Sequence, residues 1–315
     1  MKRGKKKNRR IRGKNRSLIL LSMPSLIWYI LFCYLPVAGI ILAFKRYRLI
    51  PGKGFFYSLI NGSEWVGFDN FRFLFLNPEI GKAIRNTLLY NMAFLILGTV
   101  IPVMLAVGIS YIHSGRIRRF VQISLLLPYF LSWIIVSYSV YAFLSYDRGV
   151  VNSVLGSMGI QGFRFYQSPS LWPFILCAVN VWKSSGYMMM LYYARLMAID
   201  TELFDAAAVD GASNFKVIRY IILPELKNVI LVMTLLNLGN ILSTDFGLFY
   251  QVTRNSGSLL STTETIDVFI YKALMEKSNY GFSAAASLIQ NGIGCIILVT
   301  ANRLLKKNGV GGAAL

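Results

Sequence analysis

Charged side chains are scarce in this sequence, and histidine and cysteine are scarcer still. Of its 315 residues, 15% are charged, whereas soluble globular proteins average about 25%. The single histidine, His113, excludes a His-rich metal cluster, and the three cysteines, Cys33, Cys177 and Cys295, lie in apolar runs without metal-ligand spacing. These counts exclude a disulfide framework and a zinc site. We predict no catalytic residue, no bound metal and no cofactor.

Apolar residues are abundant, and they are grouped into long runs. They make up 55% of the chain, and the mean hydropathy is +0.54. A membrane-spanning helix needs about 20 mostly apolar residues, and six stretches meet that length: 18–44, 86–112, 120–146, 171–194, 228–250 and 278–302. Only the fourth and fifth carry a charge, at Lys183 and Asp245. We therefore predict an all-α polytopic membrane protein with six transmembrane helices.

Basic residues are unevenly distributed along the chain. The net charge is +20, and ten of the 33 Lys and Arg residues fall within the first 16 positions. With the N-terminus inside, the inner segments carry 20 of these residues and the outer segments 12, so the positive-inside rule places both termini in the cytoplasm. We expect the basic tail, 1–17, to hold the first helix against anionic lipid and to bind no nucleic acid. The first apolar run is too long for a signal-peptide core, so we expect it to remain as a transmembrane helix.

Two of the outer segments have patterns of their own. Residues 64–86 alternate aromatic and polar side chains, which favours an interfacial helix leading into the second span. Contact of these aromatic residues with a partner protein is the alternative. Residues 251–277 are rich in Ser and Thr, and we expect them to be exposed.

The segment 197–226, between the fourth and fifth spans, is too polar to cross a membrane and too regularly patterned for a slack linker. Asp200 or Thr201 can cap the start of a helix, and Gly211 can end that helix in the left-handed conformation. A second helix follows, and we expect Pro224 to close it. The pattern predicts a compact pair of helices on the cytoplasmic face, with small side chains where another protein can approach closely.

This segment resembles the signature loop of ABC importer permeases, whose pattern is Glu-Ala-Ala, three residues, Gly, nine residues, then Ile-x-Leu-Pro. In this chain Asp205-Ala206-Ala207 is followed after three residues by Gly211, and after nine more by Ile221-Ile222-Leu223-Pro224. The spacing matches throughout, and the one departure is Asp205 in place of Glu. The loop therefore resembles the coupling helix that, in this family, sits in a groove of the ATPase subunit.

The resemblance extends over about residues 17–307. Asn180-Val181-Trp182 and Ala301-Asn302-Arg303 are similar to segments of the maltose-type, binding-protein-dependent sugar permeases. Tyr34-Leu35-Pro36 and Ala43-Phe44-Lys45 resemble the branch associated with polysaccharide and complex oligosaccharide uptake in Gram-positive bacteria. The implied fold is that of a type I ABC importer permease, with a basic tail (1–17), a permease domain (18–307) that includes the coupling loop 197–226, and a short C-terminal tail (308–315).

The resemblance also implies partners and a location. A permease of this family works with a second, non-identical permease subunit, two ATPase subunits and an extracellular, lipid-anchored sugar-binding protein. The chain itself has no Gly-x-x-x-x-Gly-Lys-Ser/Thr motif, so we expect a separate subunit to hydrolyse ATP and this chain not to be an enzyme. The implied location is the cell membrane of a Gram-positive bacterium.

Two groups of residues are the predicted functional sites. The residues that the resemblance assigns to ATPase coupling are Asp205, Ala206, Ala207, Asp210, Gly211, Phe215, Leu223 and Pro224. The residues that we expect to line the substrate pathway are Asn180, Trp182, Lys183, Ser184, Tyr187, Asn237, Asn240 and Asn291. The pathway must be polar, because a sugar hydroxyl that leaves water needs a replacement partner, and aromatic rings complement the apolar faces of a pyranose.

Two of these assignments have alternatives. A charge within the membrane is a functional candidate, so Lys183 either binds an anionic sugar such as a uronate or forms an ion pair with Asp245. Asn237 and Asn240 share a helix face, and they either line the pathway or make interhelical hydrogen bonds.

Three other functions compete with sugar import. An ABC importer for a non-sugar solute would share the 197–226 loop but lack the Asn180–Trp182 stretch. A self-contained secondary transporter usually has more spans and an inverted repeat. A membrane-embedded enzyme needs clustered acids, histidines or a nucleophile, and one histidine with two intramembrane charges provides no such cluster.

Overall fold

The computed structural model describes residues 18–307, and nearly all of its regular structure is helical. The predicted tails 1–17 and 308–315 lie outside the described residues. The main helices are α1 (Leu18–Phe44), α2 (Asp69–Leu76), α3 (Pro78–Ser110), α4 (Gly115–Leu126), α5 (Trp133–Leu144), α6 (Val150–Ser157), α7 (Trp172–Leu196), α8 (Thr201–Val209), α9 (Asn214–Gly239), α10 (Ile266–Met275) and α11 (Tyr280–Lys307). Shorter helical turns cover Phe55–Tyr57, Ser58–Gly62, Leu127–Phe130, Phe165–Gln167, Pro169–Leu171, Gly247–Val252, Gly257–Leu259 and Leu260–Thr263. Strands β1 (Lys45–Arg46) and β2 (Glu64–Trp65) form a two-residue antiparallel pair.

The predicted all-α, polytopic fold is confirmed. Within the described residues, five helical segments are long and apolar enough to cross a membrane, and a bent pair of helices brings the number to six if that pair is one span. The five segments are α1, α3, α7 with the turn before it, α9 and most of α11. The order and approximate positions of the spans follow from the lengths of the apolar runs.

The third predicted span, 120–146, is not one continuous helix. α4 continues through the turn Leu127–Phe130, the chain breaks, and α5 starts at Trp133 with a bend of 100°. Pro128 stands at the start of the turn, where its missing N–H weakens the helical ladder. Ser132 then caps α5 by accepting a hydrogen bond from the Ile135 amide at 3.4 Å. The predicted third span is therefore a bent pair of helices, which counts as the sixth span if the pair crosses the membrane once.

The start and end of α9 also differ from the prediction. Pro224 was expected to close a helix, but the helix runs through it from Asn214 to Gly239. A π-helical turn at Ile218–Ile222 ends two residues before Pro224, so the missing N–H falls where the hydrogen-bond pattern changes. At the other end α9 stops at Gly239, although the apolar run continues to 250. Asp245 thus lies in a non-helical stretch.

The outer segment 251–277 is not the exposed loop that its composition suggested. Thr265 and Leu259 are fully buried. The side-chain amide of Asn86 in α3 donates to the Glu264 carbonyl at 3.0 Å, and the Thr87 hydroxyl accepts from the Ile266 amide at 3.0 Å. The backbone of this segment is therefore paired with helix α3, the Thr262 hydroxyl donates to the Pro169 carbonyl at 2.9 Å, and the prediction of exposure is wrong.

The chain divides into two compact units. One comprises the described residues up to Leu76 together with Ala273–Leu288. In it, the Asn70 amide in α2 donates to the carbonyls of Ala43 at 2.9 Å and Lys45 at 3.1 Å, and a ring cluster surrounds Phe44. α2 therefore provides the helix that was expected before the second span.

The other unit runs from Asn77 to Lys272 and resumes at Ile289. It has two apolar cores. One combines α3, α7 and the coupling-loop segment, with Met189, Tyr192, Ile222 and Leu226 among its most buried members. The second core centres on Trp172 and the turn Gly247–Val252. Both predicted functional sites lie in this unit.

Candidate functional site

A polar cavity of about 250 Å³ lies among α3, α7 and the end of α9. Its lining consists of Asn91, Phe94, Leu95, Gly98, Asn180, Ser184, Met188, Asn237, Asn240, Ile241 and Ser243. Six of these eleven residues carry hydrogen-bonding side chains, although the helices around them are strongly apolar. Such a cavity can replace the water of a polar solute inside an apolar span.

Four of the predicted pathway residues meet in this cavity. Asn180 and Ser184 come from successive turns of α7, Asn237 comes from the last turn of α9, and Asn240 directly follows that helix. Asn240 donates to the Leu236 carbonyl of its own helix at 3.3 Å, and the Ser184 hydroxyl donates to the Asn180 carbonyl at 2.7 Å. Among the described residues, no interhelical hydrogen bond occupies the side chain of Asn237. Of the two alternatives for this pair, the geometry favours cavity lining.

Sequence reasoning missed two of the polar lining residues, Asn91 and Ser243. The Asn91 amide donates to the carbonyls of Ile241 at 2.7 Å and Ser243 at 3.0 Å. Gln290 donates in turn to the Leu242 carbonyl at 2.8 Å. These bonds satisfy the backbone where α9 has ended, and they fix the shape of the cavity at that end. The position of Asn91 well inside the charge-free run 86–112 was the available signal.

Lys183 is held by the broken span rather than by a carboxylate. Only 8% of its surface is exposed. Its Nζ donates to the Tyr129 carbonyl at 2.7 Å and lies 5.1 Å from the centre of the Trp133 ring. The Trp133 indole N–H donates to Asp245 Oδ2 at 2.6 Å. Within residues 18–307 no direct ion pair joins Lys183 to Asp245, and Trp133 contacts both side chains.

The other three predicted pathway residues lie outside the cavity lining. Tyr187 stacks on Tyr129, with ring centres 4.4 Å apart and planes inclined by 10°. Trp182 and Asn291 are both exposed. The structure therefore brings Asn180, Ser184, Asn237 and Asn240 together, and it places Lys183 and Tyr187 at the break between α4 and α5.

The predicted pair of helices in 197–226 is present. The Asp200 carboxylate caps α8 by accepting from the Glu202 amide at 3.1 Å. Gly211 follows α8 with φ of +65°, and the Ala212 amide donates to the Ala207 carbonyl at 2.9 Å. This geometry is a glycine-dependent helix C-terminus, as the sequence predicted.

The two faces of this loop differ in exposure. Phe204 packs against the apolar core of its unit together with Ile222 and Leu226. Of the predicted coupling residues, Ala207 is half-buried and the others are exposed, as is the neighbouring Val209. Val209 and Phe215 are 89% and 72% exposed, which is unusual for large apolar residues in a polar loop. Asp205 and Val209 on α8, with Phe215 at the start of α9, therefore leave acidic and apolar groups exposed for contact with another protein.

An ion pair closes the base of the loop. Arg195, at the end of α7, contacts Glu225, near the start of the transmembrane part of α9, with 2.6 Å between Nη2 and Oε2. The Arg195 Nε also donates to the Glu225 carbonyl at 3.4 Å. The ion pair therefore joins the two spans that flank α8, and the packed Phe204 connects α8 itself to the apolar core that these spans share, so a displacement of α8 can be transmitted to them.

Comparison with known proteins gives a consistent result. The model of the family described as "Binding-protein-dependent transport system inner membrane component" matches residues 98–307. Two proteins of Bacillus subtilis (strain 168) are each 30% identical over 93% of this chain: Protein LplB, with 90% of its length covered, and the polygalacturonan/rhamnogalacturonan transport system permease protein YteP, with 88% covered.

Solved structures agree with these relatives. A chain of a bacterial ABC transporter involved in the import of the acidic polysaccharide alginate is similar with a TM-score of 0.83 and 30% identity, over 95% of this chain and 99% of that one. The alginate transporter in complex with its alginate pentasaccharide-bound periplasmic protein gives a TM-score of 0.82 and 29% identity, over 94% and 96% of the two chains.

Proposed function

This chain belongs to the family of binding-protein-dependent transport system inner membrane components, and we propose that it is the permease subunit of an ATP-driven importer for an oligosaccharide or polysaccharide fragment. The observation that carries the proposal is that one compact unit contains both a polar cavity among its spans and an exposed helix with the coupling-loop pattern. The cavity can bind the solute, and the exposed helix can contact the ATPase subunit that supplies the energy.

ATP hydrolysis belongs to separate subunits in this proposal. The chain has no phosphate-binding loop, so energy must arrive through protein contact. The exposed residues of α8, with Asp205 at their centre, meet a basic residue of an ATPase subunit. Movement of α8 then passes to α7 and α9 through the packed Phe204 and the Arg195–Glu225 ion pair. The spans alternate between outward-open and inward-open states, which differ in their affinity for solute and nucleotide.

A saccharide fits the chemistry of the cavity. The side-chain amides of Asn180 and Asn237 offer donors and acceptors to hydroxyl groups. Outside the cavity lining, the stacked rings of Tyr129 and Tyr187 lie beside Lys183, whose Nζ is 5.5 Å from the centre of the Tyr129 ring. The curated relative YteP is named for polygalacturonan and rhamnogalacturonan transport, and the similar solved structure imports alginate. Both names support a saccharide as the solute here.

The proposed assembly contains four further subunits in or at the membrane. They are a second, non-identical permease, two ATPase subunits and a lipid-anchored sugar-binding protein on the outer face. The similar structure that includes a periplasmic protein supports the last of these. The two Bacillus relatives support the cell membrane of a Gram-positive bacterium as the location.

Reconstitution tests the proposal. The chain is purified from its native membrane in mild detergent with its partners, placed in proteoliposomes, and supplied with a panel of radiolabelled oligosaccharides, phosphate and amino acids. We expect co-purification of an ATPase and uptake of a saccharide that requires ATP inside the vesicle. Uptake that is driven by an ion gradient without ATP would identify a secondary transporter instead, and ATP-dependent uptake of a non-sugar solute alone would refute the saccharide.

A further inference from the structure

A basic groove lies beside α4, on the side of the molecule that the Lys and Arg distribution places in the cytoplasm. Its volume is about 1010 Å³, and its polar lining comes from Ser114, Arg116, Arg118, Arg119, Gln122 and Tyr193. All of these residues belong to the same compact unit. The groove is separate from the cavity among α3, α7 and α9, and neither the coupling loop nor the pathway uses its residues.

The groove carries a concentrated positive charge without an internal counter-charge. Arg116, Arg118 and Arg119 fall within four positions, and the run 111–146 contains no acidic residue. Among the described residues, none of the three guanidinium groups takes part in an ion pair. The first turn of α4 begins at the same place, so its free backbone amides add to the positive potential. An anion is the complementary ligand.

Apolar side chains continue directly from the arginines along α4. Ile117, Phe120, Ile123 and Leu127 are spaced by three or four residues and are all exposed. Phe120 is 72% exposed and lines the groove together with Ile123. α4 therefore begins with charged residues and continues with exposed apolar ones, which is the pattern of a helix at a membrane interface.

We infer that this groove binds an anionic phospholipid. The phosphate lies against Arg116, Arg118 and Arg119, because a guanidinium group matches phosphate oxygens in paired hydrogen bonds. The acyl chains follow Ile117, Phe120 and Ile123 toward the membrane interior. A free phosphate satisfies only the first of these two contacts, so the apolar stripe selects a lipid over a soluble anion.

Photo-crosslinking in the complete importer tests the inference, because it resolves the site and separates it from the basic tail. The importer is reconstituted with trace photoreactive phosphatidylglycerol, or with photoreactive phosphatidylcholine carrying the same chains, and the modified peptides are mapped by mass spectrometry. We expect at least about tenfold more labelling of peptides from 113–127 by the anionic probe than by the zwitterionic one. Inorganic phosphate at millimolar concentration leaves this labelling unchanged.

A triple variant and a matched control make the result decisive. Arg116→Gln/Arg118→Gln/Arg119→Gln removes three charges from the groove, and Arg46→Gln/Arg72→Gln/Arg148→Gln removes three exposed charges from outer segments. We expect only the first to abolish the excess labelling of 113–127, with labelling by the phosphatidylcholine probe unchanged as a sign of intact folding. Equal labelling by both probes, persistence in the triple variant, or competition by phosphate would each overturn the inference.

Discussion

At the scale of single residues, Lys183 is the clearest case of a charge with a structural partner. Its Nζ satisfies the Tyr129 carbonyl at the break between α4 and α5, where no helical amide follows. We expect Lys183→Met to remove this charge-assisted hydrogen bond and to lower the free energy of unfolding by about 1 to 3 kcal/mol. The measurement is thermal unfolding of the purified full chain in detergent.

The neighbouring Ser184→Ala provides the control for Lys183→Met. Its hydroxyl bonds only within its own helix, so we expect little change in melting temperature. If Lys183→Met unfolds at the wild-type temperature and loses transport of anionic sugars alone, Lys183 binds substrate and the structural role is wrong.

Asp205 is the residue on which the proposed coupling depends most directly. It lies exposed on α8, and exposed substitutions usually change stability by less than about 0.5 kcal/mol. We therefore expect Asp205→Lys to leave the permease folded while uptake in proteoliposomes falls to background, because charge reversal repels a basic partner.

Two further variants are measured in the same assay as Asp205→Lys. Asp205→Glu keeps the charge and restores the residue of the family pattern, so it should retain transport. Asp147→Lys changes an exposed acid in an outer segment and controls for net charge. Normal uptake by Asp205→Lys would show that this carboxylate does not couple the chain to ATP.

At the scale of elements, the existence of the helices was predictable and several of their ends were not. The lengths of the apolar runs located the spans, since lipid requires each backbone group to bond within its own helix. α9, however, stops at Gly239 because partners far away in sequence satisfy the next carbonyls: Asn91 bonds to Ile241 and Ser243. Such long-range bonds leave no periodic signal in the sequence.

In the candidate sites, too, the features that depend on residues close in sequence were predictable, and those that depend on residues far apart in sequence were not. The spacing from Asp205 to Pro224 predicted the exposed loop and its glycine turn, because cap and turn chemistry is local. The cavity was predicted in part: Asn180 and Asn237 are in its lining, whereas Asn91 was missed. Lys183 was correctly recognised as unusual, but its contact with the Tyr129 carbonyl depends on a break that composition does not reveal.

The approach of α4 to α7 depends on one glycine. A Cβ at Gly186 would overlap the backbone carbonyl of Leu125, whereas a Cβ at Gly108 in α3 would meet nothing within 4 Å. We expect Gly186→Ala to lower the free energy of unfolding by about 1 to 3 kcal/mol, because the backbone must move apart. Gly108→Ala should be neutral or slightly stabilising, since alanine favours helix. The two variants are compared by thermal unfolding, and equal melting temperatures would contradict the close packing of α4 on α7 at Gly186.

At the scale of the whole molecule, the proposed function requires that the cavity and the exposed loop be mechanically connected. The loop is tied to α7 and α9, and the same two helices supply Asn180, Ser184, Asn237 and Asn240 to the cavity. A force on α8 therefore acts on the helices that line the cavity. This connection predicts that nucleotide bound to a distant ATPase changes the side of the membrane from which the cavity is reached.

Cysteine accessibility measures that change directly. In the assembled importer, with the three native cysteines replaced by alanine, we expect Asn237→Cys to react with a membrane-impermeant thiol reagent from outside at least about tenfold faster when ATP is trapped than without nucleotide. Gln161→Cys, exposed in an outer segment, should react equally in both states. A nucleotide-independent rate at Asn237→Cys, with the control reacting normally, would mean that the cavity does not alternate. In that case the polar groups around it would only stabilise the helix ends, and the pathway would lie elsewhere in the assembly.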